Sequence, residues 1–100
     1  MAQSLNQVID LQTTGTSYLS ISGKVGKFLV GDQALEFYPD VNVEQYIQIP
    51  WSSIQQIGAN VSGRKISRHF EVFTDQGKFL FASKDYGAIL KIAREKLGND

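Results

Sequence analysis

Cysteine is absent from this sequence, and histidine, tryptophan and methionine each occur once. The lack of cysteine excludes a disulfide-stapled scaffold, a cysteine zinc site and a thiol nucleophile. Since a transition metal is usually held by imidazole and thiolate ligands, one histidine makes such a site a poor prospect. Charge of one sign is also not in excess, because 10 Lys and Arg stand against 10 Asp and Glu. Nucleic-acid-binding domains usually carry a basic excess, so we expect no nucleic-acid partner.

Long apolar runs are missing as well. No stretch approaches the roughly 18 consecutive apolar residues that a membrane-spanning helix needs. Residues 1–6 (MAQSLN) carry neither the basic start nor the apolar segment of a secretory signal. We therefore expect a cytoplasmic protein.

The remaining composition is that of one globular domain. The chain has 100 residues, of which 42% are hydrophobic and 20% are charged. Domains cluster near about 100–150 residues, and a chain of this size buries enough surface for one core. The sequence is too apolar and too evenly charged for intrinsic disorder. Residues 1–100 are therefore expected to form a single domain.

Alternation of apolar and polar residues dominates the first four fifths of the chain and predicts strands between about residues 7 and 83. Turn residues separate the runs, and Gly15 is expected to end the first of them. The segment 54–61 also fits a helical period, but it lacks strong helix formers, so a strand is favoured. The candidate runs are 8–14, 18–21, 25–30, 34–38, 46–49, 54–61, 70–74 and 78–82.

Two of these runs form the clearest hairpin. Residues 70–74 and 78–82 are both rich in phenylalanine, and Asp75, Gln76 and Gly77 join them. Two apolar runs separated by a short loop that contains glycine are typical of a β-hairpin.

The last segment changes period and predicts a helix over about 85–97. Apolar residues recur at the spacing of one helix face, at Tyr86, Ile89, Leu90, Ala93 and Leu97. Asp85 suits the N-cap position. Gly98 and Asn99 suit the end of the helix.

Strands followed by one amphipathic helix indicate an α+β, mainly β, domain. About seven short strands would leave exposed edges in an open sheet, and closure removes them. We therefore expect a pleckstrin-homology-like or GRAM-like fold, which is a seven-stranded antiparallel barrel capped by one C-terminal helix.

Several motifs resemble a family of small bacterial proteins of unknown function. One motif lies at 46–51, where Ile-Gln-Ile-Pro-Trp at 47–51 is the most specific part, and others lie at 31–38, 68–70 and 79–85. The family is encoded beside mannose-type sugar phosphotransferase transporters in Gram-positive bacteria, and it is labelled a regulator of the mannose operon, ManO. The resemblance spans nearly the whole chain. It implies a regulatory or accessory role and supplies no catalytic or binding residues.

The strongest candidate surface is a basic segment, Arg64, Lys65, Arg68 and the adjacent His69. Three cations within five residues can bind a phosphate, an anionic lipid headgroup or an acidic protein partner. A solvated loop that aids solubility explains the same residues. Lys24 and Lys27 join the candidate surface if their hairpin faces the same end. These cations would contribute charge complementarity to docking.

Trp51 has two interpretations. An exposed tryptophan would anchor an interface, whereas a buried one would fill the core. Burial is the favoured interpretation, and Trp51 is kept among the candidate binding residues.

The sequence gives little support for catalysis, calcium binding or a phosphate-binding loop. No spacing of carboxylates suggests a general-acid pair, and Asp40, Asn42 and Glu44 lack the register of a calcium loop. Gly23 and Gly26 lack the spacing of a phosphate-binding loop. We expect no enzyme activity, no cofactor and no metal.

The expected function is a non-enzymatic regulatory or accessory protein that docks onto a protein partner. The resemblance implies that the partner is the cytoplasmic face of the mannose-type transporter, and that partner could bring the chain into peripheral contact with the membrane. Transcriptional regulation of the sugar operon, anionic-lipid binding and phosphosugar binding stay open as alternatives. Self-association through an unpaired strand edge also stays open.

Overall fold

The computed structural model describes residues 3–18, 23–62 and 65–98. Seven strands precede one helix, and short 3-10 turns occur at Val43–Gln45 and Trp51–Ser53. The elements are β1 (Ile9–Ser17), β2 (Lys24–Gly31), β3 (Ala34–Pro39), β4 (Ile47–Pro50), β5 (Ile54–Ser62), β6 (Lys65–Thr74), β7 (Gly77–Ala82) and α1 (Tyr86–Lys96). No helix in these ranges is long and apolar enough to cross a membrane.

The strands form one antiparallel sheet in the order β4-β3-β2-β1-β7-β6-β5. Strand β1 pairs with β2 along its length, from Ile9 opposite Gly31 to Ser17 opposite Lys24. Its pairing with β7 is confined to Thr16 and Ser17. This short seam divides the sheet into a four-stranded part, β1 to β4, and a three-stranded part, β5 to β7. The expected seven antiparallel strands with one C-terminal helix are confirmed.

The core consists of the inward-facing residues of both parts and of the buried face of α1. Phe28, Phe37, Phe70 and Phe81 are at most 1% exposed. Their rings interlock, and those of Phe28 and Phe81 meet edge to face with centroids 5.3 Å apart. Aromatic pairs favour this geometry over a face-to-face sandwich. The rest of the core cluster is Val30, Leu35, Ile49, Trp51, Ile54, Val72, Ile89, Leu90 and Ala93.

Strand β1 corrects one expectation. It runs through Gly15 to Ser17 instead of ending at Gly15. A Cβ atom at Gly15 would collide with the ring of Phe28 and with the Ala82 carbonyl oxygen, so this glycine allows a close approach inside the strand. Of the expected second run, 18–21, Tyr18 is not in a strand, and 19–21 lie outside the described residues.

The two hairpins of the three-stranded part test the expected bounds of β5, β6 and β7. The turn between Thr74 and Gly77 is confirmed, and Gly77 has a φ of 133° that glycine adopts most easily. Residues 54–61 lie within strand β5, as favoured. Strand β6 starts at Lys65, five residues earlier than expected, because Lys65 pairs with Ser62 and Ile66 with Val61.

The helix matches its expected face, since Ile89, Leu90 and Ala93 are its buried residues. Asp85 stands at the N-cap position, but its side chain caps no helix N–H group. Its Oδ2 instead accepts a hydrogen bond of 2.5 Å from Thr13 Oγ1 of β1. Gly98 follows the helix with a left-handed φ of 71°. Asn99 lies outside the described residues.

Candidate docking surfaces

The basic segment is placed on a strand and not on a loop. The backbone of Lys65 and Arg68 belongs to β6, and Lys65 pairs with Ser62 of β5. Arg64 and the side chains of Lys65 and Arg68 lie outside the described part of the chain. The role of these three cations therefore stays a prediction.

His69 takes part in a structural contact. It is half-buried, and it pairs with Ala82 across the β6–β7 ladder. Its ring lies 5.2 Å from that of Tyr18, with the planes tilted by 39°. The contact ties the end of β1 to β6. A histidine packed on a tyrosine fits the interpretation of an ordinary partnered side chain.

Lys24 and Lys27 lie on β2, apart from the basic segment. Strands β1 and β7 separate β2 from β6 in the sheet. At about 4.8 Å per strand, Lys24 is roughly 14 Å along the sheet from Phe70, with which it shares a row. Both lysines are exposed, and Lys24 Nζ donates a hydrogen bond to Gln45 Oε1.

Trp51 is a core residue, so its place among the candidate binding residues is corrected. Only 8% of it is exposed. Its indole Nε1 donates a 2.8 Å hydrogen bond to the carbonyl oxygen of Gly31. A buried indole N–H needs a partner, and the last residue of β2 supplies one. Trp51 therefore contributes to the core and offers a partner only its small exposed fraction.

A groove between β1 and α1 is a surface that the sequence reasoning missed. Its volume is about 500 Å³, and its apolar lining residues are Leu11, Ala88 and Ile92. Two of its charged lining residues form an ion pair, since Lys96 Nζ lies 3.3 Å from Asp10 Oδ2. The other charged lining residues are Lys91 and Glu95.

Two exposed apolar side chains stand directly before this groove in the chain. Val8 is 58% exposed and Ile9 is 41% exposed. Their signal was present in the sequence, where the run starting at Val8 is apolar at consecutive positions. Alternation alone does not say which of two consecutive apolar residues faces solvent, so the surface was not recognised.

A second group of exposed apolar side chains lies near the start of β2, whereas the residues at the start of β1 pair with the end of β2. Val25 is 61% exposed, Val41 is 76% exposed and Tyr46 is 41% exposed. A cavity of about 400 Å³ opens there between the start of β2 and the residues after β3. Asn42, which lines it, has a left-handed φ of 60°. Asparagine tolerates this conformation better than most residues do.

The N-terminal segment 3–8 covers the outer face of β3 through a buried carboxylate. Glu36 is 0% exposed. Its Oε1 accepts hydrogen bonds from Ser4 Oγ and from Asn6 Nδ2, the latter at 2.9 Å. Its Oε2 accepts from the Leu5 backbone N at 2.8 Å and from Tyr38 Oη at 3.0 Å. Four donors thus compensate for the water that the carboxylate has lost.

Further hydrogen bonds hold the same segment in place. Asn6 Oδ1 accepts from the backbone N of Gln33 at 2.8 Å and of Ala34 at 2.7 Å. Asn6 Nδ2 also donates to the Ala34 carbonyl. The asparagine side chain is therefore fixed at both ends, and its amide cannot turn over without losing bonds.

Two pKa values reflect this arrangement. The backbone N–H of Val8, the Gln33 amide and the N–H of Gln7 stabilise the ionised Asp32, so its pKa is held below the ordinary value. Burial raises the pKa of the Tyr38 phenol, and the Glu36 carboxylate beside it adds to the rise. A hydrogen bond from Gln48 acts in the opposite direction.

Among the described residues, no three His, Cys, Asp or Glu side chains group closely enough to hold a metal ion. The described residues do present two groups of exposed apolar side chains, one directly before the groove and one around the start of β2.

Solved structures of low sequence identity share this fold. The C-terminal domain of an unknown protein from Leishmania infantum superposes with a TM-score of 0.81 at 12% identity, covering 92% of this chain and 85% of that one. The N-terminal PH domain of human ARAP2 gives 0.70 at 17% identity, covering 96% and 84%. The expected pleckstrin-homology-like fold is confirmed, and at these identities the likeness extends to the fold alone.

The sequence itself matches one family over its whole length. The family model described as a domain of unknown function (DUF956) covers residues 1–100, so the chain belongs to that family. No curated protein is similar enough to count as a relative.

Proposed function

We propose that this member of the DUF956 family is a non-enzymatic, cytoplasmic regulatory or accessory protein that docks onto subunits of a mannose-type sugar phosphotransferase transporter. The transporter association rests on the sequence motifs at 31–38 and 46–51 and on their resemblance to the family encoded beside such transporters. The docking mechanism rests on the surfaces of the described residues.

The observation that carries the docking mechanism is the groove between β1 and α1. Leu11, Ala88 and Ile92 line it together with four charged residues, and the exposed apolar side chains of Val8 and Ile9 directly precede it in the chain. Exposed apolar side chains that form a patch mark an interaction site. Covering the exposed parts of Val8 and Ile9 would contribute about 1 kcal/mol each.

The charges of the groove define the partner segment. Lys96 is paired with Asp10, and Lys91 and Glu95 cancel in net charge. The groove therefore offers no excess charge for an acidic or a basic peptide. It suits a short amphipathic segment of a transporter subunit that contributes apolar side chains and no net charge.

Arg64, Lys65 and Arg68 have a separate task in this proposal. Surface charges of one sign mainly accelerate encounter and set its salt dependence, and they add little affinity. The basic segment would steer the protein toward an acidic surface of the transporter, after which the groove would hold it.

The test is affinity purification of the tagged chain from detergent-solubilised cells, with identification of the transporter subunits that remain bound. Val8→Asp places a charge on an exposed apolar position two residues before Asp10 of the groove, and is expected to reduce subunit recovery at least tenfold. Val41→Asp is the matched control, because Val41 is 76% exposed and lies near the start of β2, away from the groove. The triple variant Arg64→Glu, Lys65→Glu, Arg68→Glu is expected to slow association most at low salt.

Recovery of the chain without transporter subunits would overturn the proposal. A gel shift with the operon promoter and thermal unfolding with sugar phosphates then test the two other functions, since a bound ligand raises the unfolding temperature. Equal recovery with Val8→Asp and Val41→Asp would remove the groove as the docking surface.

A further inference from the structure

The two end strands of the sheet differ in how they are protected. Strand β4 has four residues and ends in Pro50, which cannot donate a backbone hydrogen bond. Strand β5 has nine residues, Ile54–Ser62, with the sequence IQQIGANVS. It contains no charged residue and no proline. In native proteins, lysine, proline or a very short strand at the sheet edge usually prevents pairing with another chain.

The centre of β5 is regular and open. From Gln56 to Ala59 each residue pairs in register with β6, and the irregular positions flank this stretch. Within the described residues, no strand pairs with the other edge of β5. A Cβ atom at Gly58 would meet nothing within 4 Å, so the outer face is unobstructed there.

The side chains along this edge are uncharged and accessible. Gln55, Gln56 and Ala59 are exposed, and Ile57 packs partly against the core. Gln56 lies opposite Phe73 of β6, which is 36% exposed. The edge therefore offers backbone hydrogen-bonding groups beside a modest apolar surface, without a charge that would repel an identical strand.

We infer that the β5 edge binds the β5 edge of a second copy of this chain, which joins the two sheets in an antiparallel, two-fold symmetric dimer. Identical strands pair this way with the same residues on both sides of the axis. An axis near Ile57 keeps inward residues opposite inward residues, because side chains alternate along a strand. It places Gln56 opposite Gly58 of the partner copy and brings the two Gln56 side chains to diagonal positions, where long side chains interact. The lack of charge on β5 is what favours a copy of itself over a charged partner.

The test uses sedimentation velocity and light scattering on the full chain between 1 µM and 500 µM, concentrations chosen to span weak association. The wild-type chain is expected to shift from monomer to dimer as concentration rises. Gln56→Lys and Gln56→Glu each place like charges near the axis and are expected to raise the dimer dissociation constant at least tenfold. An equimolar mixture of the two variants is expected to restore the dimer, since opposite charges then face each other.

Gln12→Lys is the matched control, because Gln12 is exposed on β1, away from β5, and it is expected to dimerise like the wild type. Thermal unfolding of all variants verifies that they are folded. A wild-type chain that stays monomeric at 500 µM would overturn the inference. So would two Gln56 variants that dimerise as the wild type does, or a mixture that fails to recover the dimer.

Discussion

Replacing Glu36 with glutamine tests whether the N-terminal segment is held by the buried carboxylate. The two side chains have nearly the same shape, so the change leaves the packing of β3 intact and alters the charge and the hydrogen bonding. Glutamine presents one oxygen and one NH₂ group, whereas the carboxylate accepts at both oxygens.

Either orientation of the glutamine leaves one fixed donor without an acceptor. If the NH₂ group takes the place of Oε2, the hydroxyl of Tyr38 can rotate to accept, but the backbone N–H of Leu5 cannot. If it takes the place of Oε1, the hydroxyl of Ser4 can rotate, but the Asn6 amide is fixed by its bonds to Gln33 and Ala34.

The expected loss of stability follows from these bonds. An unsatisfied buried donor costs about 1–3 kcal/mol, and hydrogen bonds to a charged group contribute about 1.5–3 kcal/mol each. Because the glutamine retains some of the bonds, we expect the free energy of unfolding to fall by about 2–4 kcal/mol. For a domain of this size, 1 kcal/mol corresponds to roughly 4–8 °C in the unfolding temperature.

Urea unfolding followed by tryptophan fluorescence measures this change, since Trp51 is the only tryptophan and is buried. Glu44→Gln is the control, because Glu44 is exposed and the same chemical change there should alter stability by less than about 0.5 kcal/mol. If Glu36→Gln were as stable as Glu44→Gln, the reasoning about the four donors would be refuted.

Three further changes test other contacts. Trp51→Phe removes the hydrogen bond to the Gly31 carbonyl and is expected to cost about 1–3 kcal/mol in urea unfolding monitored by circular dichroism; an unchanged midpoint would contradict this. Gly15→Ala forces a methyl group against the Phe28 ring and is expected to lower the unfolding temperature by several degrees, which calorimetry would show. Asp32→Asn tests the pH dependence of stability. Because the pKa of Asp32 is lower in the folded than in the unfolded chain, its ionised carboxylate stabilises the fold above the unfolded pKa of about 3.9. This contribution is lost as the pH falls through the folded-state pKa. The variant is therefore expected to lose less stability than the wild type between pH 6 and pH 3, and equal losses would rule the effect out.

The elements that local pattern specifies were predicted from the sequence. The hairpin turn between Thr74 and Gly77 needs only two apolar runs and a glycine that accepts a positive φ. The buried face of α1 follows from the spacing of Ile89, Leu90 and Ala93. Both depend on residues a few positions apart, so a short window of sequence contains the information.

The contacts that decide the surfaces depend on residues far apart in the chain. In the sequence, Glu36 occupies a polar position of an alternating strand, which predicts an exposed side chain. It is buried because the N-terminal segment, more than 30 positions away, covers it. Gly15 reads as a strand end, yet the rings and backbone packed against it keep β1 continuous. The candidate docking groove arises where α1 returns to the start of β1. Sequence alone determined most of the strands, the helix and the fold class, because periodicity is local. The tertiary structure decided which polar groups are buried and which apolar groups stay exposed, because burial depends on what covers each face.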